Sequence, residues 1–147
     1  MLTCCFSINS DETIDCKHGE TECLGDMLSL CAKSLFPNNT IISLGFTTCL
    51  VSAYSRIPDR SLVENCALEH GISFDALNAC VSEEGKGLDL LRESVGRSAA
   101  ADVVKSCTVR VAGEKWCIRD MGKWKDCDEG SEPKDLIAAV KKLYDAH

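Results

Sequence analysis

Aromatic side chains are scarce in this chain, at 5% of its 147 residues, so aliphatic residues and cysteine have to fill most of any core. No stretch approaches the roughly 20 consecutive apolar residues of a membrane-spanning helix. Runs of Lys and Arg are missing too, and the formal net charge is -7. Nucleic-acid binding draws most of its affinity from neutralised phosphates, so neither nucleic acid nor an anionic membrane surface is an expected partner. The start, Met1 to Ile8, has no basic residues and too short an apolar run for a signal peptide. Either a leader has been removed or the chain begins partway into a longer protein. No two cysteines stand three residues apart, so the chain has no Cys-x-x-Cys dithiol.

Cysteine itself is abundant. The eleven are Cys4, Cys5, Cys16, Cys23, Cys31, Cys49, Cys66, Cys80, Cys107, Cys117 and Cys127. Such density in a chain of one-domain size points to an oxidising compartment, where each bridge adds about 2–4 kcal/mol. The count is odd, so one thiol stays free or pairs with another molecule. Asn38-Asn39-Thr40 is an N-glycosylation sequon, with Asn38 as acceptor, and it fits the same secretory route.

Periodicity divides the chain into 1–15, polar and irregular, and a single domain over 16–147. Helices are expected from Glu20 to Phe36-Pro37, from Asn39 to Tyr54, from about Asp59 to His70, from a Ser73 N-cap towards Gly85, and from Gly87 to Ala101. Thr108 to Val111 then alternates like a strand, and Lys115 to Arg119 returns as its hairpin partner. A further turn leads towards Lys123-Trp124-Lys125. A two-stranded hairpin is only weakly stable alone, and an apolar Leu2, Phe6 and Ile8 could supply it with another strand. Pro133 opens a closing helix whose Leu136, Ile137, Val140, Leu143 and Tyr144 share one face. The expected fold class is α+β.

The most specific stretch runs from Cys16 to Cys31, CKHGETECLGDMLSLC. It resembles the signature of the gamma-interferon-inducible lysosomal thiol reductase family, C-Q-H-G-x-x-E-C-x-x-N-x-x-x-x-C. Cys16, His18, Gly19, Glu22, Cys23 and Cys31 match at the same spacing; Lys17 stands for glutamine and Asp26 for asparagine. The resemblance implies an incomplete thioredoxin-like unit with a helical, disulfide-rich insertion, a β-hairpin and a C-terminal helix. It implies a secreted, extracellular or lysosomal/vacuolar protein, and reduction of protein disulfides as substrates in a complete form. The family's catalytic Cys-x-x-Cys precedes the signature and has no counterpart here; Cys4-Cys5 is the only pair ahead of it. The family's fold also places a cis-proline before the hairpin, where this chain has Lys105-Ser106-Cys107-Thr108. No catalytic residue is therefore assigned, and the chain is expected to be inactive. The rival function is a secreted, non-enzymatic binding or effector protein that uses the stapled scaffold. Coding sequence upstream of Met1 would separate the two.

Read without the family, Cys16, His18, Cys23 and Cys31 could be zinc ligands, but steps of two, five and eight are not a common finger spacing. Bridges plus a histidine in a tight turn fit better, and His18 has no nucleophile in sequence reach to serve as a base. His70, next to Gly71, suits a helix C-terminus. Cys16, Cys23, Cys31, Cys49, Cys66, Cys80, Cys107, Cys117 and Cys127 are the expected disulfide cysteines, with connectivity open. No metal and no cofactor are expected; the acidic residues Asp126, Asp128, Glu129 and Glu132 lack calcium-loop spacing. The odd thiol makes a disulfide-linked homodimer the expected assembly. Freshly oxidised protein should accordingly run partly as a reducible dimer on non-reducing gels, through Cys4, Cys5 or the leftover thiol. A pure monomer band would contradict this.

Overall fold

Apolar residues at three- and four-residue steps set the helices, and a computed structural model shows which faces they bury. It describes residues 6–8, 14–82, 86–105 and 107–146; Cys4 and Cys5 lie outside them. The chain forms two compact units, Phe6–Gly96 and one comprising Arg97–His147.

The first unit opens inside the segment expected to be irregular, where β1 (Phe6–Ile8) pairs antiparallel with β2 (Ile14–Cys16). Four helices follow: α1 (Glu20–Leu35), α2 (Thr40–Ser52), α3 (Arg60–Glu69) and α4 (Phe74–Ser82). α1 packs on α2 and α4, and α3 packs on the same two. The buried set is almost all aliphatic or sulfur: Leu28, Cys31 and Ala32 from α1, Leu50 from α2, Leu62, Val63, Cys66 and Ala67 from α3, Leu77 and Cys80 from α4. Phe46 is the one large ring among them, fully enclosed. α2 is apolar on its outer side too, where Ile41, Leu44 and Val51 are exposed.

Helix ends follow local chemistry. α1 stops before Pro37, because proline crowds the residue ahead of it out of the helical region. α3 closes with the Gly71 N–H on the Leu68 carbonyl and the Ile72 N–H on the Ala67 carbonyl. Gly71 takes φ +66, and this pair of bonds is the Schellman ending of a helix. The Ser73 hydroxyl accepts the Ala76 N–H at 3.3 Å, as an N-cap should. α5 (Lys86–Ala100) buries Leu91 and Val95.

The second unit holds an antiparallel sheet of β3 (Thr108–Val111), β4 (Glu114–Asp120) and β5 (Lys123–Lys125), in that order. Both turns place two successive residues at positive φ, Ala112-Gly113 and Met121-Gly122, which suits the twist of a two-residue hairpin turn. The sheet is larger than the two-stranded hairpin expected from the sequence, and a Cys117–Cys127 disulfide ties β4 to the chain beyond β5. α6 (Pro133–Asp145) begins where Asp135 accepts the Glu132 N–H at 3.0 Å. Much of its apolar face is exposed among the described residues: Ile137, Val140, Leu143 and Tyr144. The observed class is α+β and disulfide-rich.

Asp120 holds the strand ends together. Its carboxylate accepts from Lys125 Nζ at 2.7 Å and Lys105 Nζ at 3.2 Å. Those two hydrogen bonds, Lys125's first, draw its pKa below the ordinary carboxylate value. A carboxylate depressed in the folded state stabilises above its unfolded pKa, and the contribution disappears as pH falls through the folded one. Protection of the β5 amides, taken relative to the intrinsic exchange rate at each pH, should therefore fall as pH is lowered below about 4, beyond the change seen in Asp120→Asn. Equal pH dependence in the two proteins would refute it.

Candidate functional site

The signature segment builds a helix start. Cys16 ends β2 and Cys23 lies in the first turn of α1; they are joined by a disulfide across a Cα–Cα distance of 5.7 Å. Between them the chain turns sharply, with the Gly19 N–H on the Cys16 carbonyl at 2.9 Å. Gly19 takes φ +90, a conformation that L side chains rarely adopt. From there its carbonyl accepts the first helical N–H groups, those of Glu22 at 3.1 Å and Cys23 at 3.4 Å.

Glu22 reaches back. One carboxylate oxygen accepts the His18 backbone N–H at 2.8 Å, and the other lies 3.1 Å from His18 Nδ1. This is a capping box moved one residue outward, with the third helical residue gripping the residue before the cap. The acid also sits where the helix dipole favours negative charge. The His18 side chain is 68% exposed and the Glu22 side chain 15%, so the carboxylate is the enclosed member. Cys31, two turns on, is fully buried and bridged to Cys80 in α4.

The six matched residues thus divide between a cap and a staple. The four groups weighed as zinc ligands do not converge, since Cys16 and Cys23 bind each other and Cys31 binds Cys80. Neither signature cysteine beside His18 is a free thiol, because Cys16 and Cys23 are bonded to each other. Cys49 and Cys66 join α2 to α3. Cys107 is the exception among the expected disulfide cysteines. It forms no bridge among the described residues, because Cys117 and Cys127 pair with each other. Half-buried ahead of β3, it takes φ +59 and accepts the Arg119 N–H on its carbonyl at 3.0 Å. Asn38 is exposed just before α2.

One grouping escaped the sequence reading. Cys49, Glu69 and His70 bring a sulfur, a carboxylate oxygen and a ring nitrogen within 4.8 Å of one another. The sign was there to read: Cys66, Glu69 and His70 stand at i, i+3 and i+4, on one face of a helix.

The model of the family described as gamma interferon inducible lysosomal thiol reductase matches residues 5–70. Over that segment, a little under half of the chain, the sequence is similar to this family. The matched span runs from the β1–β2 ribbon to the end of α3 and takes in the whole signature. No curated protein and no solved structure matches the chain. Within the matched span Cys16, Cys23, Cys31, Cys49 and Cys66 are all oxidised in pairs, and Cys5 lies outside the described residues.

If Glu22 is the residue that starts α1, Glu22→Ala should lower unfolding stability by about 0.5–2 kcal/mol, the usual cost of losing a cap. Exchange should quicken at Glu22 and Cys23 but not at Cys31. Denaturant unfolding with the bridges intact, indistinguishable from the parent protein, would remove the capping role.

Proposed function

We propose that this chain is a disulfide-stapled scaffold of the thiol–disulfide oxidoreductase family, acting in a secretory, extracellular or lysosomal lumen. We further propose that these residues do not by themselves reduce disulfides. The carrying observation is that Cys16 is bonded to Cys23 inside the signature turn. Reduction proceeds by thiolate attack, a mixed disulfide, and release by a second nearby thiol. A bridged sulfur in a helix cap offers neither the attacker nor the resolver. Cys107 has no bridge among the described residues, but no second cysteine stands three residues from it to resolve a mixed disulfide.

A lumenal setting is supported by the four bridges, since a reducing cytosol works against them. The exposed Asn38 sequon agrees with it, and modification there is part of the proposal. No helix among the described residues is long and apolar enough to cross a membrane.

The apolar outer stripe of α2, Ile41 (82% exposed), Leu44 (59%) and Val51 (40%), favours a second reading. That reading is a secreted, non-enzymatic binding or effector protein on the same scaffold, since exposed apolar side chains along one helix face suit contact with another protein.

The first reading sets a clear expectation. Insulin-disulfide reduction by the purified chain should be no faster than a cysteine-free control, at acidic and at neutral pH. Turnover that disappears in a Cys4→Ser, Cys5→Ser double variant would overturn it and assign the chemistry to the vicinal pair.

A further inference from the structure

The Cys49–Cys66 bridge has neighbours that a purely structural bridge does not need. α3 presents Cys66, Glu69 and His70 on one face of its last turn, at i, i+3 and i+4. α2 delivers Cys49 opposite them, and Glu69 Oε2 lies 3.7 Å from Cys49 Sγ. That sulfur, a Glu69 carboxylate oxygen and a His70 ring nitrogen all fall within 4.8 Å of one another.

The histidine is held there by a gap in the facing helix. A methyl group built on Gly45, one turn before Cys49, would come within 2.6 Å of both Cε1 and Nδ1 of His70. Glycine is a poor residue for a helix interior; here it is the notch in which the imidazole sits. While the bridge is closed, the sulfur carries no proton to donate to Glu69. Beyond that sulfur, neither the Glu69 carboxylate nor the His70 ring has a side-chain partner among the described residues. A carboxylate and an imidazole are thus gathered about a sulfur that, as a disulfide, gives them nothing to bind.

We propose that Cys49, Cys66, Glu69 and His70 form a zinc site that is closed in the oxidised protein and opens when their bridge is reduced. A small-molecule dithiol supplies two electrons and two protons and closes to its own disulfide. The Cys49–Cys66 bond breaks, and each sulfur takes one proton. Zinc then displaces both protons to solvent and binds two thiolates, the imidazole and the carboxylate, a set within its known preferences. Tetrahedral zinc holds such ligands about 3.4–3.8 Å apart, so Cys49, Glu69 and His70, already within 4.8 Å of one another, close on it by a modest movement, with Cys66 bonded beside Cys49 as the fourth. The half-buried Cys49 gives a reductant access that the buried Cys31–Cys80 bridge does not. The inference is independent of whether the chain itself reduces disulfides.

Cobalt(II) serves as the spectroscopic probe for zinc. The full chain, reduced with a dithiol and desalted without air, should take up one equivalent of cobalt(II). The signs are thiolate-to-cobalt absorption and the visible bands of a tetrahedral ion, bleached by zinc. The oxidised chain should show neither. A Cys49→Ser, Cys66→Ser double variant, reduced in the same way, should lose the signal while keeping its other cysteines. His70→Gln should weaken cobalt binding about tenfold or more. If reduction melts α2 and α3, added zinc should restore their helicity, because a metal that binds only the folded state stabilises it. The proposal falls if reduced protein gives no cobalt bands, if the bands survive the double serine variant, if His70→Gln binds as tightly as the parent, or if zinc fails to restore lost helicity.

Discussion

The Cys31–Cys80 bridge is the constraint on which the helical unit depends. It joins α1 to α4 across 49 residues and encloses α2, α3 and the whole Cys49–Cys66 bridge within its loop. On the chain-entropy account a closure of that length is worth about 4 kcal/mol, against about 2.4 kcal/mol for the seven-residue Cys16–Cys23 loop. The helices it gathers are 9 to 16 residues long, and isolated helices near that length are marginal in water. Tertiary packing has to hold them, yet the core is poor in aromatic area, with Phe46 the single large ring fully enclosed among the described residues. Cysteine fills the gap twice over. Buried Cys31, Cys66 and Cys80 are core volume as well as covalent ties.

Once that ring of helices is fixed, the signature has a physical explanation that needs no catalysis. A helix that begins straight after a strand has N–H groups to satisfy and a direction to set. Gly19 makes the turn, Glu22 clamps His18 from inside the helix, and the short Cys16–Cys23 loop locks the angle between β2 and α1. The same sulfurs cannot at once be staples and reacting thiolates. In these residues the architecture has taken them.

Much of this was legible in the residues. Ser73 and Gly71 announced a helix start and a helix end, because caps are read from local chemistry. The alternation of Thr108 to Val111 gave its strand. Features of long range were not legible. β1, β2 and β5 are three residues each, too short for a period of two to stand out, and they exist through pairing. The amphipathic pattern of α6 was plain, but pattern cannot say whether a face finds a partner, and Ile137 and Tyr144 remain exposed. Cys107 was grouped with Cys117 and Cys127 by even spacing, whereas pairing follows distance in space, and a 4.5 Å Cα separation belongs to the other two. In the cap, the bridging of Cys16 and Cys23 and the tight turn at His18 were anticipated, but the role of Glu22 was not. That role rests on Glu22 folding back four positions, which spacing permits and does not require.

Burial then sorts the sulfurs by what they can do. Exchange requires an attacking thiolate to approach a sulfur along the bond it breaks. Cys31, Cys66 and Cys117 are wholly enclosed and Cys80 nearly so, and the one bridge with both ends enclosed is Cys31–Cys80. The bridge that sets the helix ring is therefore the least open to attack. The Cys16–Cys23 and Cys49–Cys66 bridges each present at least one half-buried sulfur, and opening either leaves the long closure intact. The unit can thus pass through a partly reduced state without losing the connection that defines it. Such a scaffold keeps its shape by hiding one bridge and leaves the others within a reductant's reach.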